Sequence, residues 1–148
     1  MISPLEILLV EDNTHDVELI LRALQRCHLA HKLIHVEDGQ AALDFLFCDG
    51  AYAGRNPRQQ PKVVFLDLKL PKLNGIQVLR EIRADERTKM QPVVILTSSR
   101  EDRDVIETYQ LGANSYIVKP VDFENFIDAV SHLGLYWTTL NEPPTLKP

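Results

Sequence analysis

The chain has 148 residues, of which 45% are hydrophobic and 25% are charged, and its formal net charge is −5. This length supports one hydrophobic core but is too short for two ordinary domains, so we expect a single domain over residues 1–148 without an output module. The chain is acidic and has no basic run, so it lacks the clustered Lys and Arg that binding to a nucleic-acid backbone requires. We therefore expect no nucleic-acid partner.

Short apolar runs alternate with helical patterns along the chain. In chain order we predict a strand at 5–10, a helix at 17–27, a strand at 32–36, a helix at 42–46, a strand at 63–66, a helix at 78–82, a strand at 93–96, a helix at 105–109, a strand at 116–118 and a helix at 126–133. Asn13 or Thr14 is available to cap the first helix, and Asp122 is available to cap the last. Gly112 can end the fourth helix in a left-handed conformation.

The five strand runs differ in composition. Those at 5–10, 63–66 and 93–96 are continuously apolar, as expected for strands that are buried on both faces of a parallel sheet. Those at 32–36 and 116–118 are more mixed or shorter, which predicts edge strands. The alternation of strands and helices indicates an α/β fold, a doubly wound five-stranded parallel sheet. In such sheets the functional site lies beyond the carboxyl ends of the strands.

Chemically active residues follow four of the predicted strands. They are Glu11-Asp12, Asp67, Thr97-Ser98 and Lys119-Pro120. Clustered carboxylates repel one another unless a cation joins them, and Mg²⁺ is a hard ion that prefers oxygen ligands. A carboxylate nucleophile beside a metal, a hydroxyl and an ammonium suits phosphoryl transfer through an aspartyl-phosphate.

Further motifs accompany these strand ends. They are Asn13 after the acidic pair, the run VVFLDLKLP around Asp67, Asn74-Gly75, Ser99 and Gly112-Ala113. With this set the chain resembles the receiver domain of two-component response regulators over about residues 5–133, which leaves an extension at 134–148. The resemblance implies the flavodoxin-like receiver fold with strand order 2-1-3-4-5. It also implies a signalling phosphoacceptor rather than an enzyme, with at most self-catalysed phosphotransfer and autodephosphorylation.

The resemblance assigns roles to the acidic residues. Asp67 would be the phosphoacceptor, taking its phosphoryl group from a phosphohistidine on a sensor histidine kinase. Glu11, Asp12 and Asp67 would hold Mg²⁺ together with the backbone carbonyl of Lys69. The side chain of Lys69 either tunes dephosphorylation or is simply exposed to solvent.

The remaining roles concern the switch. Lys119 would contact the phosphoryl oxygens and Thr97 would hydrogen-bond the phosphoryl group. Tyr116 would then turn inward as Thr97 moves, although an aromatic residue merely packed on an edge strand is the alternative. Family members also carry a cis peptide before the proline that follows the lysine, here Pro120. Among the histidines only His15 lies near the acidic residues, and we expect it to be exposed.

Two segments exceed a minimal receiver. The first is the stretch 49–61, which is rich in glycine and proline and is predicted to be a loop without a helix. The second is the apolar segment 135–140, which precedes Pro143-Pro144. Both resemble the small stand-alone response regulators encoded beside bacterial phytochromes, whose partner is a light-regulated histidine kinase. Tyr136 and Trp137 suggest a homodimer through helix four, strand five, helix five and the tail. No signal peptide or membrane-length apolar run is present, which predicts a cytoplasmic protein with no membrane partner.

Three other functions share part of this residue pattern. An FMN carrier of the same topology needs a first loop that accepts phosphate, and Glu11-Asp12 repels it. A phosphatase with an aspartyl nucleophile usually has a second acid two residues beyond the first, where this chain has Lys69. An unphosphorylated pseudo-receiver that acts only as a binding module stays open.

Overall fold

Five parallel strands form one sheet in the order 2-1-3-4-5, as predicted, in a computed structural model that describes residues 5–144. The strands are β1 (Ile7–Val10), β2 (Leu33–Val36), β3 (Val63–Leu66), β4 (Val93–Thr97) and β5 (Ser115–Val118). All residues of β1, β3 and β4 are buried, whereas β2 and β5 at the two edges are mostly half-buried. The prediction of three central strands and two edge strands is therefore confirmed.

Five helices connect and cover the strands. They are α1 (Thr14–Arg26), α2 (Gly39–Phe47), α3 (Gly75–Ala84), α4 (Asp102–Gln110) and α5 (Phe123–Leu135). The predicted caps are confirmed, because the Asn13 side chain accepts from the Asp16 amide and the Asp122 side chain accepts from the amides of Glu124 and Asn125. Gly112 follows α4 with a φ of 91°, the left-handed conformation expected of it.

The helices cover the sheet on both faces. Leu8 and Val10 of β1 pack into an apolar cluster with α2 and α3, while Ile7 and Leu9 pack into a second cluster with α1 and α5. This alternation follows from the twofold repeat of a strand, which sends successive side chains to opposite faces. Within residues 5–144, no helix combines the length and the apolarity needed to cross a membrane.

The loop at 49–61 contains a helical turn, so the prediction that it lacks a helix is wrong. Residues Gly50–Tyr52 form a 3₁₀ turn. The ring of Tyr52 packs edge-on against Phe45 with centroids 5.1 Å apart, and the Arg55 guanidinium lies 3.7 Å from the same ring centroid. These contacts tie the loop to α2 and supply apolar burial that its glycines and prolines do not indicate.

The tail continues α5 and folds onto its own chain. A π-helical segment spans Tyr136–Leu140, and Trp137 in it is only 7% exposed because it joins the cluster between α1 and α5. Lys62 donates to the Thr138 carbonyl at 2.9 Å. The predicted homodimer interface included both aromatic residues of the tail, Tyr136 and Trp137. The prediction is wrong for Trp137, because its ring is buried in the core. Tyr136 is half-exposed, and residues 145–148 of the predicted extension lie outside the described residues.

Candidate functional site

The carboxyl ends of β1 and β3 bring Glu11 and Asp67 side by side. Val10 pairs with Leu66 in the sheet register, so the residues that follow them leave the sheet at the same level. Both side chains are buried, whereas Asp12 is exposed. Glu11, Asp12 and Asp67 each offer a carboxylate oxygen, and these oxygens lie within 4.8 Å of one another.

This donor set fits a hard divalent cation. It consists of carboxylate oxygens, the ligands that Mg²⁺ and similar ions prefer. Burial and the neighbouring charge of Asp67 raise the pKa of Glu11 to about 7, and hydrogen bonding to Lys119 opposes them. A bound cation would relieve this accumulation of negative charge.

Lys119 lies at the centre of the site. Its Nζ donates to Glu11 Oε1 at 2.6 Å, to Asp16 Oδ2 at 2.8 Å and to Asp67 Oδ2 at 3.0 Å. Only 9% of its side chain is exposed. Burial alone would lower the pKa of Lys119, but the hydrogen bonds to Asp16 and Glu11 and the charge of Asp67 raise it above its ordinary value. Lys119 is therefore a fixed ammonium within reach of the predicted phosphoacceptor.

Asp16 is a site residue that the sequence analysis missed. It lies in the first turn of α1, the helix that begins directly after the acidic pair. The available signal was its position, because the start of a helix that follows a parallel strand lies at the same edge of the sheet as the strand end. His35 of β2 was missed as well; its Nε2 lies 2.7 Å from the Glu11 carbonyl oxygen. His15 is exposed, as expected.

The carboxylate of Asp67 is held at both oxygens. Oδ1 accepts from the Leu68 amide at 2.7 Å and from the Lys69 amide at 3.4 Å, and Oδ2 accepts from Lys119. The side chain of Lys69 is exposed. Gly75 at the start of α3 makes this arrangement possible, because a Cβ there would lie 2.2 Å from the Asp67 carbonyl oxygen. Gly75 is thus required for the helix to approach the end of β3.

Thr97 and Tyr116 are connected through the loop after β4. Thr97 is fully buried, and its hydroxyl oxygen accepts from the Ser99 amide at 3.3 Å. Ser99 also donates from its hydroxyl to Asp104 at 2.6 Å. The Tyr116 hydroxyl donates to the Ser99 carbonyl at 3.1 Å, and its ring packs against the cluster formed with α2 and α3. The ring therefore packs inward in this structure, in contact with the same loop that carries Thr97.

The Lys119–Pro120 bond departs from the expectation of a cis peptide. No cis peptide bond occurs among residues 5–144. The two isomers of a bond before proline differ by only about 0.5–1 kcal/mol, so a proline in the sequence does not by itself decide between them.

The site residues face one open cleft. Its lining is formed by Asp12, Asn13, Thr14, Asp16, Asp67, Lys69, Ser98 and Lys119. The structure thus brings together the predicted carboxylates and the lysine in a single place, whereas Thr97 is fully buried and the next residue, Ser98, lines the cleft. A carboxylate, a cluster of oxygens that suits a divalent cation and an ammonium therefore lie close together, and phosphoryl transfer uses groups of these kinds.

Comparison with known proteins gives one family. Residues 7–131 match the response regulator receiver domain. The chain is 40% identical over 142 residues to the probable methanogenesis regulatory protein FilR2 of Methanothrix harundinacea, which covers 96% of this chain and 89% of FilR2. It is 39% identical over 134 residues to the response regulator Rcp1 of Synechocystis sp., which covers 90% of this chain and 89% of Rcp1.

Two solved structures share the architecture. The phosphorylated cyanobacterial phytochrome response regulator RcpA superposes with a TM-score of 0.88 at 34% identity, covering 97% of this chain and 100% of RcpA. The Mn²⁺-bound form of Rcp1 superposes with a TM-score of 0.88 at 36% identity, covering 96% of this chain and 100% of Rcp1. Both structures therefore match this chain along nearly its whole length.

Proposed function

The chain belongs to the response regulator receiver domain family, and we propose that Asp67 is the residue on which this response regulator accepts a phosphoryl group from a sensor histidine kinase. One observation carries the proposal. The Asp67 carboxylate lies in the cleft with one oxygen held by the Leu68 amide and the other by the Lys119 ammonium. Glu11 is also held by a backbone amide and by Lys119, but of these two buried carboxylates it is Asp67 that lines the open cleft, where a phosphoryl donor can reach it.

The transfer follows from these contacts. A carboxylate oxygen of Asp67 attacks phosphorus, the P–N bond to the kinase histidine breaks, and its electron pair stays on the imidazole nitrogen. Lys119 neutralises charge on the transferring oxygens, and the Thr97 hydroxyl donates to one of them. Hydrolysis reverses the state, because water attacks phosphorus, inorganic phosphate leaves and the carboxylate is regenerated.

A divalent ion supports this chemistry. Glu11, Asp12 and Asp67 would hold Mg²⁺, with the backbone carbonyl of Lys69 as a fourth ligand, and the known Mn²⁺-bound form of Rcp1 supports a divalent site in this family. When bound, Mg²⁺ neutralises the clustered carboxylates and the negative charge of the phosphoryl oxygens. The chain's own part is to present these oxygens at one point.

The signal leaves the cleft through the loop after β4. Phosphorylation adds about −1.5 to −2 charges at Asp67 and draws Thr97 toward them. Because Ser99 bonds to both the Thr97 hydroxyl and the Tyr116 hydroxyl, movement of this loop is passed to Tyr116 on β5. Output then proceeds by protein–protein contact at the surface of α4, β5 and α5.

The partner kinase is best sought among phytochromes. RcpA, which matches 97% of this chain, is a phytochrome response regulator. The full coverage of RcpA supports a receiver domain with a core at 5–133 and the extension 134–148. We further propose that the protein acts in the cytoplasm. Phosphotransfer profiling from a phytochrome kinase and from unrelated kinases tests this, and selective transfer from an unrelated kinase would contradict it.

We also propose a homodimer, with an interface formed by exposed side chains that do not include Trp137. The exposed large apolar side chains on α5 and the tail are Phe123, Leu135, Tyr136 and Leu140, and those on α4 are Ile106 and Tyr109. These surfaces belong to the α4, β5, α5 and tail region, and Trp137 contributes only by holding the tail in place. Sedimentation of the chain with and without phosphorylation measures the association, and a monomer at high concentration in both states would exclude it.

Labelling by a phosphoryl donor tests the central proposal. Asp67→Asn should abolish labelling from acetyl phosphate and from a cognate kinase. Asp49→Asn is the matched control, since Asp49 is an exposed carboxylate on the 49–61 loop, and it should leave labelling unchanged. Persistent labelling of Asp67→Asn would refute the assignment.

The pseudo-receiver alternative is separated by a binding measurement. A receiver that can accept a phosphoryl group should bind the phosphoryl mimic beryllofluoride in the presence of Mg²⁺. A module that only binds partner proteins should not bind it. Titration of the wild-type chain with both components therefore decides between the two.

A further inference from the structure

Asp16 is an acidic residue of the cleft that the transfer described above does not use. Its own amide donates to the Asn13 side chain at 3.0 Å, which fixes it in the first turn of α1. Its carboxylate accepts from Lys119 at 2.8 Å, a shorter contact than the 3.0 Å between Lys119 and Asp67. Only 19% of the Asp16 side chain is exposed, so solvent shields this ion pair only in part.

The ammonium of Lys119 has no hydrogen-bond donor to spare. A lysine ammonium carries three donors, and Glu11, Asp16 and Asp67 accept all of them. A phosphoryl group on Asp67 brings additional negative oxygens that need the same donors. One of the three carboxylates must therefore give up its bond when the phosphoryl group forms.

Asp16 differs from the other two acceptors in one respect. Glu11 and Asp67 belong to the cluster of carboxylate oxygens that suits a divalent cation, and Asp16 does not. Its charge is thus the one that a cation in that cluster does not neutralise directly. It stays in competition with any anion that approaches Lys119.

We propose that Asp16 is a positioning residue that competes with the phosphoryl group for the Lys119 ammonium and so weakens the cleft's hold on phosphoryl-like anions. This inference rests on the proposed function of Asp67 and adds a residue to it. Two anions that share one cation repel each other, and partial burial makes the repulsion stronger than in bulk water. The phosphorylated state is thereby kept less stable than Glu11, Asp67 and Lys119 alone would make it.

The substitution Asp16→Asn isolates this effect. Asparagine keeps an oxygen that accepts from Lys119 but removes the negative charge. The matched control is Glu18→Gln, which removes the same charge from an exposed position on the same helix. Beryllofluoride affinity, measured by calorimetry at saturating Mg²⁺, should rise about tenfold for Asp16→Asn, equivalent to about 1.4 kcal/mol. It should change by less than about twofold for Glu18→Gln, because an exposed charge is screened.

A second measurement needs neither metal nor phosphoryl mimic. In the metal-free chain, the ¹⁵N resonance of the Lys119 ammonium should shift in Asp16→Asn and stay in place in Glu18→Gln. A residue that only stabilised α1 would not move that resonance. Asp16→Ser, which removes the charge and shortens the side chain, serves as a second variant if Asp16→Asn folds poorly, and it should also raise the affinity.

The outcomes are separable. Unchanged or weaker beryllofluoride binding in folded Asp16→Asn or Asp16→Ser, or an equal rise in Glu18→Gln, would overturn the inference while wild-type binding upheld the function of Asp67. Failure of the wild-type chain to bind beryllofluoride at all would instead overturn the proposed function, and the inference with it.

Discussion

Replacing Gly75 by alanine should both destabilise the fold and disturb the cleft. A Cβ at this position would lie 2.2 Å from the Asp67 carbonyl oxygen and 2.7 Å from the Leu68 Cα. Both atoms belong to the backbone, so no side-chain rotation relieves the overlap. The start of α3 must move away by about 1 Å, which weakens the bond from the Gly75 amide to the Leu68 carbonyl, now 2.8 Å long.

The cost has two parts. Overpacking of this kind typically costs about 1–3 kcal/mol, and a weakened hydrogen bond adds about 0.5–1.5 kcal/mol. We therefore expect Gly75→Ala to lower the free energy of unfolding by about 1.5–4.5 kcal/mol. Because the added methyl group presses against the carbonyl of Asp67, part of the strain falls on Asp67 itself, and beryllofluoride affinity should fall as well.

Urea unfolding, followed by the fluorescence of the single tryptophan, measures the first effect. Gly54→Ala is the matched control, since no atom lies within 4 Å of a Cβ built there. That variant should be neutral or more stable by about 0.4–1 kcal/mol, because alanine restricts the unfolded chain. Equal stability of the two variants would refute the close approach between α3 and β3.

Two further predictions concern the end of the sheet away from the cleft and the tail. Trp137→Ala should lower the free energy of unfolding by about 3–5 kcal/mol, whereas Leu140→Ala, at a position 75% exposed, should change it by less than about 0.5 kcal/mol. Because Trp137 is the single tryptophan, urea unfolding of both variants is followed by circular dichroism, and similar values would contradict burial of the tail. Burial alone would raise the pKa of Glu6, but Lys32 and Lys62 lower it below its ordinary value of 4.5. A lowered pKa means stability that is present at neutral pH and lost as the pH falls through the folded-state value. Glu6→Gln should therefore be destabilising at neutral pH and progressively less so in urea titrations below pH 4.5, and a constant difference would contradict the ion pairs.

The sequence was most informative about the sheet and the residues at its carboxyl edge. Continuous apolar runs identify the buried strands, and parallel pairing then places Glu11 and Asp67 together without knowledge of any contact. The position of Asp16 at the start of α1 indicates only the edge of the sheet at which it lies, whereas its bond to Lys119 depends on how α1 packs over the cleft. The burial of Trp137 escaped for a similar reason, since an aromatic residue suits a core and an interface equally well.

The short edge strands bear on how copies of the chain can meet. Both β2 and β5 have only four residues, so each edge offers few unpaired amides and carbonyls to a neighbouring molecule. Edge-to-edge pairing, the first step of many β-aggregates, is therefore disfavoured at both ends of the sheet. Self-association in solution should instead be reversible and governed by side chains, and it should respond to single surface substitutions such as Tyr136→Ser.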